Sequence, residues 1–129
     1  MKVLDTDLLV AVLRGKEDAK KALEAVSGDE LFASSISIFE LYFGAFISQR
    51  KQENLRAVEN LASSLTVLDL DFVSSKLAAG ILAELRTTGS LIGLKDCLIA
   101  GTCLKHNAEL LSRNISEFSR VRNLKVRKW

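Results

Sequence analysis

The sequence is poor in the residues that mark specialised classes of protein. Its 129 residues include no proline, two cysteines and one histidine. No linker or low-complexity tract is present, and this length predicts a single domain over residues 1–129. Cys97 and Cys103 lie six positions apart in one helical pattern and therefore face different directions, so we expect buried free thiols and no disulfide. Free thiols are typical of the reducing cytoplasm, where we expect the protein to be located.

Long hydrophobic runs are also missing. The apolar stretch near the N-terminus is interrupted by Asp5 and Asp7 and is too short to cross a bilayer. This argues against both a signal peptide and a membrane anchor. The sequence has no glycine-rich phosphate-binding loop either, so it does not indicate a nucleotide cofactor.

The charge that is present is unevenly distributed. The net charge is only +2, yet the segment 113–129 holds six basic residues and one acid. A basic end on a slightly acidic body fits a polyanionic partner such as RNA, although a solvated basic end explains the pattern about as well. The candidates for contacts with RNA phosphates are Arg113, Arg120, Arg122 and Lys95.

Short apolar runs alternate with longer helical patterns along the chain. We expect strands near residues 2–5, 31–34, 66–70, 109–112 and 124–128. We expect helices at roughly 7–14, 17–27, 36–48, 50–64, 72–88 and 94–107. The alternation predicts an α/β fold in which a parallel sheet is covered by helices on both faces.

Acidic side chains follow the predicted strands near their carboxyl ends. Asp5 ends the first strand, Glu40 follows the second, Asp96 begins the helix near 94 and Glu117 follows the fourth strand. Ligands of open parallel sheets gather at this edge. Clustered carboxylates repel one another unless a cation lies among them. Oxygen ligands without histidine or cysteine suit Mg²⁺ or Mn²⁺, so the sequence predicts a site for one of these ions.

Helix capping explains several of these acids without a metal. Ser37 and Glu40 have the spacing of a capping box, and Asn114 and Glu117 have the same spacing. The helix dipole favours Asp96 in a first helical turn. Both explanations remain open at this stage.

Asp5 has the weakest capping explanation, because Asp7 is the residue that we expect to cap the helix that follows. Asp5 ends an apolar strand in a setting where an unpaired carboxylate is costly. A metal shared with Glu40 and Asp96 would supply the missing opposite charge.

Four segments of the chain, LDTD (4–7), SISIFELYFG (35–44), GLKDCLIAG (93–101) and SRNISEF (112–118), resemble PIN-domain nucleases in order and spacing. They are most similar to the VapC-type toxins of bacterial and archaeal toxin–antitoxin pairs. The resemblance covers the whole chain. It implies a three-layer α/β/α fold with a central five-stranded parallel sheet, and Mg²⁺- or Mn²⁺-dependent endonucleolytic cleavage of RNA by a metal-bound water. It also implies a cognate antitoxin that inserts into the active-site groove, and a homodimer.

The resemblance also implies roles for individual residues. The metal-site acids are Asp5, Glu40, Asp96 and Glu117, and the supporting positions are Thr6, Asp7 and Asn114. Glu117 stands where the family more often has Asp, and its longer side chain would hold a second metal directly or through water. Thr6 matches the hydroxyl residue that orients the first acid, and Asn114 the polar position before the fourth.

Two other functions fit parts of the sequence. A catalytically silent PIN-like binding module would explain Glu117 at the fourth acidic position. A receiver-type phosphoacceptor domain also has paired acids after its first strand and an aspartate after its third, here Asp69 or Asp71. Against the receiver, the helical segment 36–64 is too long for one crossover.

Overall fold

A computed structural model describes all 129 residues. Its five strands are β1 (Lys2–Leu4), β2 (Leu31–Ser34), β3 (Thr66–Leu68), β4 (Glu109–Leu111) and β5 (Lys125–Arg127). They form one sheet in the order β3-β2-β1-β4-β5, and every neighbouring pair is parallel. The expected five-stranded parallel sheet is therefore confirmed, with the first strand of the chain at its centre.

Seven helices cover the sheet. They are α1 (Thr6–Leu13), α2 (Glu17–Glu24), α3 (Ser35–Phe46), α4 (Lys51–Ser63), α5 (Phe72–Thr87), α6 (Leu94–Lys105) and α7 (Ile115–Phe118). The first six correspond to the predicted helices. The helix α7 was not among the predicted helices, because four residues are too short to show a helical period, although the spacing of Asn114 and Glu117 indicated a helix start there. Both α3 and α4 lie between β2 and β3, as the length of that helical segment indicated.

The strands separate two hydrophobic clusters, one on each face of the sheet. Successive residues of a strand point to opposite faces. Accordingly, Val3 and Leu110 belong to one cluster, with α5 and α6, while Leu4 and Leu111 belong to the other, with α1, α3 and α4. All four side chains are almost fully buried. This gives the three-layer α/β/α arrangement that the sequence predicted.

Helices α5 and α6 pack unusually close together at Gly101. A Cβ atom at this glycine would lie 2.6 Å from the backbone oxygen of Ser74 and 2.8 Å from the Cβ of Ala78. Ser74 itself is fully buried, and its hydroxyl has no hydrogen-bond partner. The close contact fixes α6 against the rest of its layer, and α6 has Asp96 in its first turn.

The start of α1 differs from the predicted one. Asp5 is the N-cap, and its side chain accepts a hydrogen bond from the backbone nitrogen of Thr6. Asp7 lies in the first turn of the helix, so the prediction that Asp7 caps α1 was wrong, and so was the expectation that Asp5 has the weakest capping explanation. The helix begins directly after β1 with no loop, which moves the cap two residues toward the N-terminus.

The capping predictions for α3 and α7 were also wrong. Ser34 caps α3 by accepting a hydrogen bond from the nitrogen of Ser37 at 3.0 Å, so Ser37 and Glu40 do not form a capping box. Asn114 occupies the N-cap position of α7, but its side chain makes no capping hydrogen bond. A capping box therefore does not explain Glu40 or Glu117.

Two further expectations concern the cysteines and the membrane. Cys97 and Cys103 are both buried and unpaired, as expected. Burial raises the pKa of the Cys103 thiol to about 12, so this side chain acts as a small hydrophobic group. None of the seven helices combines the length and the apolar character needed to cross a membrane.

Candidate active site

Asp5 lies at the centre of the candidate site, because the central strand of the sheet ends just before it. The side chain is only 5% exposed. Its Oδ2 accepts a hydrogen bond from Ser112 Oγ at 2.6 Å, and its Oδ1 accepts one from the nitrogen of Thr6 at 2.9 Å. Burial raises the pKa of Asp5 to about 7 despite the bond from Ser112, and the charges of Asp7 and Asp96 add to the rise. Asp5 is thus a buried carboxyl group without a cationic partner.

Glu40 reaches the same edge of the sheet from α3. Its Oε1 accepts a hydrogen bond from Thr6 Oγ1 at 2.9 Å, and its Oε2 lies 3.0 Å from Lys95 Nζ. Thr6 Oγ1 is also 2.9 Å from Ser37 Oγ. The Thr6 hydroxyl therefore contacts Glu40 and not Asp5, which corrects the role that the resemblance implied for it. Lys95 provides the positive charge that balances Glu40.

Asp96 lies in the first turn of α6 and is half-buried. Its Oδ2 accepts a hydrogen bond from Asn114 Nδ2 at 3.1 Å. Burial raises the pKa of Asp96, and the negative charges of Glu40 and Glu117 raise it further. These carboxyl groups come from distant parts of the sequence, yet they are close enough to affect one another's ionisation.

Glu117 lies at the periphery of this group. Its carboxylate accepts a hydrogen bond from Ser116 Oγ at 2.6 Å, and this bond lowers the pKa of Glu117. As the side chains lie, no three acids are close enough to one another to enclose a cation. The donor set still fits Mg²⁺ or Mn²⁺, because it consists of carboxylate oxygens that disfavour one another's charge.

Ser112 is a site residue that the sequence analysis missed. It follows β4 directly, donates to Asp5 and accepts a hydrogen bond from the backbone nitrogen of Asn114 at 2.9 Å. Together with the bond from Asn114 to Asp96, this makes the segment after β4 a support for two acids at once. The position of Ser112 at the carboxyl end of a strand was a signal that would have identified it.

The predicted phosphate-binding arginines are engaged within the protein. Their partners are Asp18 and Trp129 for Arg113, the carbonyl of Leu91 for Arg120, and Glu84 for Arg122. Two cations that the sequence analysis did not select, Arg14 and Lys16, make no ion pair. With Asp7 and Arg113 they line a cavity of about 390 Å³.

The family of this chain follows from its similarity to known proteins. The model of the PIN domain family matches residues 2–124. This chain belongs to the PIN domain family. The ribonuclease VapC2 of Haemophilus influenzae is 33% identical to it in an alignment of 132 positions that covers 98% of this chain and 96% of that protein. The tRNA(fMet)-specific endonuclease VapC of Shigella flexneri is 29% identical, with the same shares covered.

Solved structures of similar proteins have the same fold. VapBC2 from Rickettsia felis, bound to a DNA fragment from its promoter, superposes with a TM-score of 0.92 at 28% sequence identity. The match covers 99% of this chain and 98% of that chain. Both the PIN-like fold and the resemblance to VapC toxins are thus confirmed.

The receiver-type alternative is not supported by the PIN domain fold. Asp71, one of its two candidate phosphoacceptors, is the N-cap of α5 and accepts a hydrogen bond from the nitrogen of Ser74 at 2.9 Å. It also forms an ion pair with Lys105. Asp71 therefore has a structural role that needs no phosphorylation.

Proposed function

We propose that this PIN domain protein is a Mg²⁺- or Mn²⁺-dependent endoribonuclease that acts as the toxin of a toxin–antitoxin pair. The observation that carries the proposal is the buried carboxyl group of Asp5, flanked by Glu40 and Asp96 at the carboxyl edge of the sheet. RNA is the proposed substrate because the H. influenzae and S. flexneri relatives are named as a ribonuclease and a tRNA-specific endonuclease.

Asp5, Glu40 and Asp96 are the proposed metal ligands, and Glu117 contributes from the periphery, directly or through water. A divalent ion bound there would lower the pKa of a water molecule and stabilise the oxygen that leaves the phosphodiester. The surrounding residues hold these acids in place. Ser112 orients Asp5 and Asn114 orients Asp96.

Thr6 and Lys95 both act on Glu40 in the proposed mechanism. The Thr6 hydroxyl fixes one carboxylate oxygen of Glu40, while Lys95 balances the charge of the other. Lys95 is more than half exposed, so its ammonium group is able to turn from Glu40 toward a substrate phosphate. Arg113 and Arg120 stay candidates for contacts with the RNA backbone, although each would have to exchange an internal partner for a phosphate.

A groove between α1, α3 and α4 suits the proposed antitoxin. It has a volume of about 300 Å³ and is lined by apolar side chains that include Val10, Leu13 and Leu41, with Glu40 and Arg14 also on its wall. An apolar segment of a partner lying in this groove would cover Glu40 and hence block access to the acids. The R. felis relative was solved as a VapBC2 assembly, which supports a partner of this kind. The homodimer stays a prediction, which sedimentation of the purified chain will test.

Purified protein provides the first test. We expect RNA cleavage, with a tRNA among the substrates, only when Mg²⁺ or Mn²⁺ is added. Asp5→Asn and Asp96→Asn should each lower kcat at least about a hundredfold, since loss of even an indirect metal contact costs roughly 10- to 100-fold. Asp29→Asn, a change at an exposed acid, is the control and should retain activity.

The alternative of a silent module makes a different prediction. It requires that the wild-type protein cleaves no RNA at any concentration of either metal. In cells, expression of the toxin alone should arrest growth, and co-expression of the antitoxin should relieve the arrest. Growth arrest that persists in Asp96→Asn would contradict the proposed mechanism.

A further inference from the structure

Asp7 joins two parts of the chain that are far apart in sequence. Its Oδ1 accepts a hydrogen bond from the indole nitrogen of Trp129 at 3.0 Å, and its Oδ2 accepts one from the backbone nitrogen of Arg113 at 2.8 Å. The Arg113 guanidinium lies 3.6 Å from the centre of the Trp129 ring and donates through Nε to the carbonyl of Trp129 at 3.2 Å. It also forms an ion pair with Asp18 of α2. The peptide of Arg113 is thereby held from several sides.

The two neighbours of Arg113 are the residues that hold the acids of the candidate site. Ser112 Oγ donates to Asp5 at 2.6 Å, and Asn114 Nδ2 donates to Asp96 at 3.1 Å. A shift of the peptide at Arg113 would move both donors, because all three residues are consecutive. Asp7 makes no hydrogen bond with Asp5 or Asp96, but its charge acts on Asp5 directly. An effect through the segment 112–114 is therefore isolated by changing Trp129, which leaves the charge of Asp7 in place.

We propose that Asp7 and Trp129 are positioning residues, which hold the Arg113 peptide so that Ser112 and Asn114 orient Asp5 and Asp96 for metal binding. The inference rests on the proposed function, since it assumes that these acids bind a divalent cation. It assigns Trp129 a part in the site although its sequence position is 124 residues from Asp5. Loss of the contact should therefore weaken metal binding without unfolding the protein.

Two variants separate the contacts. Trp129→Phe removes the indole donor to Asp7 but leaves an aromatic ring for Arg113 to stack on. Asp7→Ala removes both acceptors. Arg127→Ala is the matched control, because it breaks an ion pair between β5 and Glu109 while leaving the backbone bond from Ser112 to the Arg127 carbonyl intact. This control weakens the attachment of β5, the strand that precedes Trp129, and leaves the hydrogen bonds of Asp7 intact.

The decisive measurement is Mn²⁺ affinity by calorimetry at a temperature where circular dichroism shows every variant folded. We expect Mn²⁺ to bind about tenfold more weakly to Asp7→Ala and about threefold more weakly to Trp129→Phe, since indirect metal contacts are worth roughly 10- to 100-fold. Backbone amide resonances of Arg113 and Asn114 should shift in both variants without metal. The fall in kcat should be recovered by saturating Mn²⁺, and KM for RNA should be unchanged in Trp129→Phe.

The same measurement distinguishes failure of the positioning role from failure of the proposed nuclease function. Equal Mn²⁺ affinity in wild type and Trp129→Phe would overturn the positioning role and leave the proposed function standing, whatever Asp7→Ala shows, because Asp7→Ala also removes a charge that acts on Asp5. An equal loss in Arg127→Ala would also overturn it, because the effect would then reflect attachment of β5 in general. A wild-type protein that binds neither Mn²⁺ nor Mg²⁺ would overturn the proposed function, and the inference with it.

Discussion

Replacing Asp5 by asparagine should stabilise the metal-free protein at neutral and alkaline pH. The pKa of Asp5 rises from 3.8 to about 7 in the folded state, chiefly through burial. A rise of about three pKa units corresponds to roughly 4 kcal/mol, by which ionised Asp5 destabilises the fold. Asparagine removes the charge but keeps only one acceptor oxygen for Ser112 and Thr6, which costs roughly 1–2 kcal/mol. The expected net gain is about 2 kcal/mol.

The stability difference between wild type and Asp5→Asn should depend on pH. Because the pKa of Asp5 is higher in the folded protein than in the unfolded chain, the folded state binds the proton more tightly. The penalty is therefore absent below about pH 4, grows as the pH rises toward about 7, and is complete above it. Asp5→Asn should be no more stable than wild type at pH 4 and about 2 kcal/mol more stable at pH 8.

Urea denaturation in EDTA, followed by circular dichroism between pH 4 and pH 8, measures this difference. At pH 8 it corresponds to a rise in Tm of roughly 6–10 °C for a chain of this size. Mg²⁺ should stabilise wild type and not the variant, because a ligand stabilises only the state that binds it. Asp29→Asn, at an exposed acid, should show no such gain. A variant less stable than wild type at pH 8, or a difference independent of pH, would refute the reasoning.

Three further substitutions test the packing and charge of the site. Gly101→Ala should lower the free energy of unfolding by roughly 1–3 kcal/mol in urea, because its Cβ would force α5 and α6 apart; an unchanged midpoint would contradict this. Ser74→Ala should raise the free energy of unfolding by about 1 kcal/mol, since it removes a buried hydroxyl group that has no hydrogen-bond partner. A loss of stability would show that the Ser74 hydroxyl does make a hydrogen bond. Lys95→Gln should tighten Mn²⁺ binding about two- to fivefold in calorimetry, because Lys95 and the metal compete for the Glu40 carboxylate and the exposed ion pair is worth about 0.5–1 kcal/mol. Weaker binding would mean that Lys95 supports the metal site.

The fold was largely predictable from the sequence. Most strands are short apolar runs and most helices follow longer patterns with apolar residues at helical spacing, so their positions follow from local patterns, whereas β5, with the sequence Lys-Val-Arg, is mostly charged. Positions of the helix starts were less predictable. Asp5 and Asp7 both suit an N-cap chemically, and only the direct passage from β1 into α1 decides between them.

The sequence also predicted the order of the acids but not the contacts between them. Asp5, Glu40 and Asp96 come together because parallel strands and the helices after them bring their ends to one edge, which is a property of the topology. The partner of each acid depends on side-chain directions that no local pattern encodes. The bond between Asp7 and Trp129 joins residues 122 positions apart, and nothing in the segment around either residue indicates it.

The central place of β1 has a consequence for how the protein is made. The first strand synthesised pairs with β2 on one side and with β4 on the other, and the nitrogen of Asp5 donates to the carbonyl of Leu111. The environment that buries Asp5 therefore cannot form until the residues through Ser112 have left the ribosome. Such long-range pairing is slow to form. A growing chain that lacks β4 thus contains Asp5 but no assembled site around it, which delays nuclease activity until β4 and Ser112 have been synthesised.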